Sequence, residues 1–347
     1  MDKMANDRVA IIGAGSLGTI IAAVVSQKGG ECILIDTNKA HVDSLNKDGA
    51  TVTGKMDIRN QPVKAITPDQ MEGIYDVVII LTKQTVNKVV LENLLPYINE
   101  NSVVCTLQNG IPEDSVAAIV GRERTVGGAV GWGAGYASPG VSELYTSPEF
   151  MIIEMGNLDN VVDEKLQRVE RFLEMAGGVT INTNLQGFRW SKLLMNATFS
   201  GMSAALGCTF GDILDNDKAL KCAVQIGNEL IQVARAKGIT LEEIVPGKDF
   251  YKFEYKDEAG MQEAMEFARI VWDVHRPQKA SMMQDMEKGI PCEIDYINGL
   301  VCLGGDEVGI NTPFNDAVVA TVKAFETGED PFPVMTNLDR FPCPEGK

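Results

Sequence analysis

The glycines at positions 13, 15 and 18 are the first residues of this 347-residue chain whose spacing points to chemistry. They sit in Gly13-Ala14-Gly15-Ser16-Leu17-Gly18, directly after the apolar run Arg8–Ile12 and at the head of an amphipathic stretch, Leu17–Lys28. In a strand–turn–helix of this kind the first glycine permits a tight turn. The second lets the backbone approach a pyrophosphate, and the third packs helix on strand. The amides around Ser16 and Leu17, at the helix N-terminus, then receive phosphate charge. Asp36 follows Gly13 by 23 positions and ends a second apolar run. A carboxylate there accepts hydrogen bonds from ribose hydroxyls and repels a 2′-phosphate. These residues predict a site for NAD or NADP. Asp36, followed by Thr37 and Asn38 rather than arginine, favours NAD, while Lys39 leaves a phosphate-bearing cofactor open. The bland alternative is a glycine turn that serves packing alone, with Asp36 as a helix cap.

Three further segments carry polar groups in apolar surroundings. Leu107-Gln108-Asn109-Gly110 follows a strand-like run, and in an open α/β sheet the ends of strands face the ligand crevice. Asn109 would stand near a nicotinamide there, although Asn-Gly is also ordinary turn chemistry. Lys192, Asn196 and Ser200 are spaced i, i+4, i+8, which places them on one helix face. Burying that lysine is costly without partners, and a lysine snorkelling to solvent fits the same spacing. The run from Ser281 to Gly299 includes Gln284, Asp285 and Glu293. Glu293 is expected in the first turn of an apolar helix, where the helix dipole favours an acid. Ser281 fits an N-cap.

The elements that must position these groups change character along the chain. Arg8–Ile12, Cys32–Ile35, Val77–Leu81 and Val103–Thr106 read as buried strands, with helical patterns at Leu17–Lys28, Asn38–Lys47 and Thr85–Leu95. Such alternation implies βαβ units and a parallel sheet. Thr125–Val130, Val141–Leu144 and Met151–Glu154 add strands, and Leu158–Met175 reads as one helix. Beyond Leu185 the expectation is almost wholly helical, over Leu185–Leu206, Lys218–Lys237, Gly260–Asp273 and Ile294–Leu303, with another helix starting at Pro313. The fold class is thus α/β, an N-terminal Rossmann dinucleotide-binding domain (1–183) followed by an all-helical C-terminal domain for substrate and dimerisation (184–328). A Pro-rich tail (329–347) is not expected to be helical, and the acidic stretch Glu242–Glu258 reads as a loop or insertion.

Composition removes other classes. The 31 basic and 48 acidic residues give a net charge of −17, which argues against nucleic acid or an anionic membrane as partner. No apolar run is long enough to span a bilayer, and the first residues lack the zones of a secretory leader. Seven scattered cysteines without a C-x-x-C pair read as reduced thiols in a cytoplasmic protein. Two histidines, His41 and His275, cannot build a His-rich metal site, so no metal is expected.

These pieces together resemble the ketopantoate reductase (2-dehydropantoate 2-reductase) family. The resemblance rests on the glycine fingerprint, Lys83, Gln108-Asn109-Gly110, Trp190-x-Lys192-Leu193-x-x-Asn196, and Ser281…Gln284-Asp285…Glu293-Ile294-Asp295-Tyr296-Ile297-Asn298-Gly299, in that order. It covers about Val9 to Phe325, and the last run is its most specific part. It implies a Rossmann domain joined to a helical domain, a substrate bound in the cleft between them, and NAD(P)H-dependent reduction of a 2-oxo acid to a 2-hydroxy acid. The default substrate is 2-dehydropantoate. The alternative is a D-2-hydroxyacid dehydrogenase of the same family acting on branched or aromatic 2-oxo acids. Lys192 matches the general acid and Glu293 the carboxylate that positions and tunes it, also against the cofactor. Lys83 matches a cofactor contact, and Asn109 a residue near nicotinamide and substrate. Asn196 and Ser281 match substrate ligands. Ser200 stands where pantoate-making members usually carry asparagine, and Gly207–Asp212 lacks a later asparagine; both departures bear on the substrate. A homodimer is the expected assembly.

Overall fold

The structure is a computed structural model that describes residues 7–342; residues 1–6, Cys343 and the end of the proline-rich tail lie outside the described residues. Contacts divide the chain into two compact units. One holds residues up to Gln108 and Pro112–Leu185, the other Asn109–Ile111 and everything from Gln186.

The first unit is built on twelve strands. They are β1 (Val9–Ile12), β2 (Ile33–Ile35), β3 (Ala50–Gly54), β4 (Ile58–Gln61), β5 (Lys64–Ile66), β6 (Val77–Ile80), β7 (Val103–Thr106), β8 (Thr125–Val130), β9 (Ala134–Ser138), β10 (Val141–Leu144), β11 (Ile152–Asn157) and β12 (Gly178–Ile181). Eight of them form one sheet in the order β12-β11-β8-β7-β6-β1-β2-β5. From β5 to β8 every neighbouring pair is parallel, and β11 then pairs antiparallel with β8. A parallel sheet must be covered on both faces, so its strands read as unbroken apolar runs. All residues of β1, β6, β7 and β8 are buried. The helices α1 (Ser16–Gln27), α2 (Lys39–Asp48), α3 (Asn87–Leu94), α4 (Glu113–Val120) and α5 (Glu164–Leu173) belong to this unit. A second, four-stranded sheet runs β4-β3-β10-β9.

Several sequence expectations need correction here. β3, β4, β5, β9, β12 and α4 are additions to the expected elements; all are short, and β4 exposes Arg59 and Asn60 outright. The helix expected from Leu158 begins at Glu164. The Asp163 carboxylate accepts from the Leu166 amide at 2.8 Å, and the Asn157 side chain holds the preceding residues in a turn by accepting from Asp159 N and Val161 N.

The second unit is helical: α6 (Leu185–Met195), α7 (Gly201–Leu206), α8 (Phe210–Asp215), α9 (Asp217–Ala236), α10 (Glu258–Trp272), α11 (Ser281–Glu287), α12 (Asn298–Val308) and α13 (Pro313–Glu326). The expected Leu185–Leu206 helix is interrupted by a π-turn at Asn196–Ser200. The helix expected over Ile294–Leu303 is a 3₁₀ turn, Ile294–Tyr296, followed by α12. The proline-rich tail also carries a 3₁₀ turn, Met335–Arg340, against the expectation of none. The 242–258 stretch is mostly irregular but anchored. Phe250 and Phe253 of its short 3₁₀ turn are buried against Phe267 and Trp272.

One buried acid organises the helix ends of this unit. Glu229 of α9 is 3% exposed and accepts from Phe314 N (3.0 Å), Asn315 N (3.1 Å) and Asn315 Nδ2 (2.8 Å), capping α13 from a neighbouring helix. Burial outweighs these bonds and pushes its carboxyl up to about 7. The unfolded value is about 4.3. Between these values the native state holds a proton the unfolded chain has lost, so this group's contribution to stability falls as pH rises and levels off above about 7. Glu229→Gln should remove that dependence. Urea unfolding between pH 5.5 and 8 should show the wild type losing roughly 1–3 kcal/mol relative to the variant. Parallel curves would mean that Glu229 stays ionised throughout.

Candidate active site

In the first unit the order of the parallel strands reverses at β1 and β6, and the chain leaves both at the carboxyl end of the sheet, where open α/β folds bind ligands. The three glycines of the loop after β1 do different work. Gly13 has φ +102°, and a Cβ on it would stand 2.8 Å from Thr82 N, in the segment after β6. A Cβ on Gly18 would stand 2.2 Å from Gly13 O. Around Gly15 a Cβ would meet no atom within 4 Å. Two glycines are therefore demanded by the fold, while the third leaves open space beside the start of α1. That helix has no side-chain cap and no acidic residue in its first turn, which begins Ser16-Leu17. Open space at an uncapped helix N-terminus fits a phosphate.

Asp36 follows β2 directly. Its Oδ2 accepts from Ala14 N at 2.8 Å and its Oδ1 from Asn38 N at 2.8 Å, so the carboxylate is locked against the glycine loop. Lys39 is engaged with Asp43 at 2.9 Å. Lys83 opens a 3₁₀ turn, Gln84–Val86, after β6. The segment around it is tied down by Gln108, whose Nε2 donates to Thr82 O and Asn87 Oδ1 (both 2.6 Å), while its Oε1 accepts from Thr106 Oγ1 (2.9 Å) and Asn87 Nδ2 (3.2 Å). His41, 1% exposed, accepts from Gly140 N at Nδ1 (2.9 Å), which leaves the Nε2 hydrogen for Ala14 O (2.7 Å). It braces the loop as a neutral imidazole rather than acting as an acid or base.

In the second unit, Asn109, Asn196, Ser200, Ser281 and Glu293 line one small cavity with Met282 and Ile297. Its cavity volume is about 10 Å³, or about 240 Å³ when all free space out to its open mouth is included. The π-turn shapes it. Bonding i→i+5 instead of i→i+4 widens the turn, a device frequent at functional sites. The Ala197 carbonyl accepts from Asn298 Nδ2 (3.1 Å), which also donates to Asn315 Oδ1 (3.0 Å), so a chain of buried amides joins the π-turn to Glu229. Lys192 is half-buried and lies four residues before Asn196. Its neighbour Ser191 donates to Glu242 O (2.8 Å) and accepts from Glu242 N (2.9 Å), fastening the 242–258 segment to α6. Two placements differ from expectation. Ala280, not Ser281, precedes α11 as its cap position, and Glu293, 5% exposed, precedes the 3₁₀ turn rather than lying in the first turn of α12.

Two family models match the chain, ketopantoate reductase PanE/ApbA over residues 9–157 and its C-terminal counterpart over residues 184–326. The chain belongs to the ketopantoate reductase family. As a family member it is an oxidoreductase acting on CH–OH groups. It is 26% identical over 321 residues to a 2-dehydropantoate 2-reductase of Streptococcus pyogenes serotype M1, covering 92% of this chain and 97% of that one. It is 27% identical over 322 residues to the enzyme of that name from Pyrococcus horikoshii, covering 92% and 98%. Among solved structures, D-mandelate dehydrogenase with NADH and anilino(oxo)acetate superposes with a TM-score of 0.78 at 24% identity, over 92% of this chain and 99% of that one. A 2-dehydropantoate 2-reductase of Geobacter metallireducens superposes at 0.76 and 24%, over 91% and 99%. These likenesses establish the Rossmann-plus-helical fold of the ketopantoate reductase family.

Met282, Ile297, Gln108 and Asn298 escaped the sequence reading as site residues. The first two look like core, whereas the amides at 108 and 298 lie inside motifs already singled out. Their signal was a polar side chain between apolar neighbours. A larger cleft of about 530 Å³, lined by Arg8, Ser26, Cys32 and Lys64, opens beside the amino ends of β1, β2 and β5, away from the glycine loop. In this family member Gly18→Ala should lower the thermal midpoint by several degrees, because the new methyl meets backbone. Gly15→Ala should leave the midpoint unchanged while weakening dinucleotide binding about tenfold or more. Calorimetric melting beside NADH titration separates the two.

Proposed function

We propose that this protein reduces a 2-oxo acid to the 2-hydroxy acid with NADH, 2-dehydropantoate being the first candidate substrate. The observation that carries the reading is the gathering of Asn109, Asn196, Ser200, Ser281 and Glu293 around one cavity. Asp36, tied to the glycine loop, favours NADH over NADPH through its charge. Relatives named 2-dehydropantoate 2-reductase support the substrate class.

Such a reduction needs a hydride at the keto carbon and a proton at the keto oxygen. The nicotinamide supplies the hydride when bound. Lys192 is the proposed proton donor, its side chain on the last turn of α6, four residues before Asn196 of the π-turn. Ser281 donates a hydrogen bond to the substrate carboxylate, and the Asn196 amide helps to hold the substrate. Asn109 donates toward the keto oxygen as negative charge develops there. Glu293 favours the protonated amine before transfer and helps to restore it afterwards.

Ser200 in the cavity lining supports a second reading, a D-2-hydroxyacid dehydrogenase for branched or aromatic 2-oxo acids. A serine leaves more room than the asparagine expected in pantoate-making members. D-mandelate dehydrogenase shares the fold. Rates with NADH on 2-dehydropantoate, 3-methyl-2-oxobutanoate and phenylglyoxylate discriminate the two readings.

Lys192→Ala should lower kcat by about 10²–10⁴ and leave the NADH dissociation constant within about twofold. Glu293→Ala should cost less. Near-normal turnover in the lysine variant would remove Lys192 from the acid role. An equal loss of NADH binding in both variants would point to disturbed folding.

A further inference from the structure

The small sheet of the first unit sends one side chain, Tyr136, to His41, which itself bonds the glycine loop. β9 and β10 form a hairpin whose turn, Pro139-Gly140, is stitched to α2: Ser44 Oγ donates to Pro139 O (3.1 Å) and Gly140 N to His41 Nδ1 (2.9 Å). Through its Nε2 hydrogen the same imidazole holds Ala14 O of the glycine loop. The hairpin is thereby fixed in register with the fingerprint. Tyr136 of β9 packs on His41 with ring centroids 5.3 Å apart and planes tilted by 59°. Its phenol interacts with the side chain of Asn38, and Asp36, which accepts from the Asn38 main-chain amide, is near enough to act on it through charge. Asn38 is itself fixed, since its Oδ1 accepts from His41 N at 3.2 Å.

We propose that Tyr136 is a specificity-determining residue of the dinucleotide site, a wall contributed by the second sheet that occupies the space a 2′-phosphate would need beside Asp36. The proposal rests on the reading that the glycine loop binds a nicotinamide dinucleotide. The Asp36 carboxylate rejects a 2′-phosphate by charge but is a single group with both oxygens already bonded to Ala14 and Asn38 amides. A ring beside it adds exclusion by volume, and rejection of a wrong ligand commonly combines the two. Tyr136 remains 43% exposed after packing on His41, so part of it is open to a ligand. Lys39, three residues on from Asp36, is exposed and pairs with Asp43 at the surface.

The test uses the full-length protein with NADH and NADPH titrated separately by calorimetry. Tyr136→Ala should reduce the preference for NADH over NADPH by about fivefold or more, chiefly by strengthening NADPH binding. Tyr136→Val, which suits a strand better, gives the same readout if the alanine variant fails to fold. An unchanged preference in a folded variant overturns the proposal, as does equal weakening of both cofactors, which would mark Tyr136 as packing for His41 alone. Wild-type protein that binds neither nucleotide overturns the underlying reading and this one with it, an outcome told apart because it needs no variant.

Discussion

A methyl group placed on Gly18 would overlap the carbonyl of Gly13, and one placed on Gly13 would press on the backbone at Thr82. The packing of α1 on β1, and of both on the segment after β6, is thus set by main chain touching main chain. Much of the first unit depends on that approach. It puts the start of α1 at the carboxyl edge of the sheet and gives Ala14 a carbonyl for His41 and an amide for Asp36. It also leaves the space at Gly15 open. A side chain can be lost there at a local cost, whereas a displaced helix would move each of these partners together.

The second unit solves a different problem. Its cavity needs a helix that is wider for one turn, and a π-turn breaks the regular ladder of bonds. A disturbed buried carbonyl is expensive unless something else donates to it. Asn298 does so at Ala197, Asn315 receives Asn298's other hydrogen, and Glu229 receives Asn315's. The network is costly where incomplete, and Asn298 Oδ1 is buried without a hydrogen-bond partner among the described residues. Its other bonds hold the π-turn of Asn196 and Ser200 from behind, through residues that do not line the cavity.

The sequence made some of this legible and hid the rest for physical reasons. β1, β6 and β7 were visible because a strand buried on both faces must be apolar throughout, and α9 because twenty residues of amphipathic pattern leave few alternatives. The glycine fingerprint and Asp36 were visible because they act through local spacing. β4 and β12 were not, because edge strands can be polar and short. The π-turn was not, because the residues Asn196 to Ser200 look like ordinary helix and the donor that supports it lies 101 positions away. Glu293 was recognised by its motif but assigned to the wrong local structure, since an acid before a 3₁₀ turn and an acid in the first turn of a helix look alike in one dimension. Tyr136 carried no signal at all: its meaning comes from a hairpin stitched to α2 nearly a hundred residues earlier.

The charge balance of the proposed site constrains its chemistry further. The chain carries a net charge of −17, and the described cavity lining contributes asparagines, serines and one buried acid, Glu293, but no cation. On the proposed reading, an anionic 2-oxo acid entering that lining meets the Glu293 carboxylate, and hydrogen bonds from neutral donors offset only part of the repulsion. On the proposed reading a protonated Lys192 balances one negative charge. Giving its proton to the keto oxygen would leave the amine neutral beside two anions, a state that favours rapid reprotonation. The same carboxylate that opposes substrate entry would then drive recovery of the acid after each turnover. On that reading Glu293 has a reason to be buried in the cavity lining, where its field is least screened.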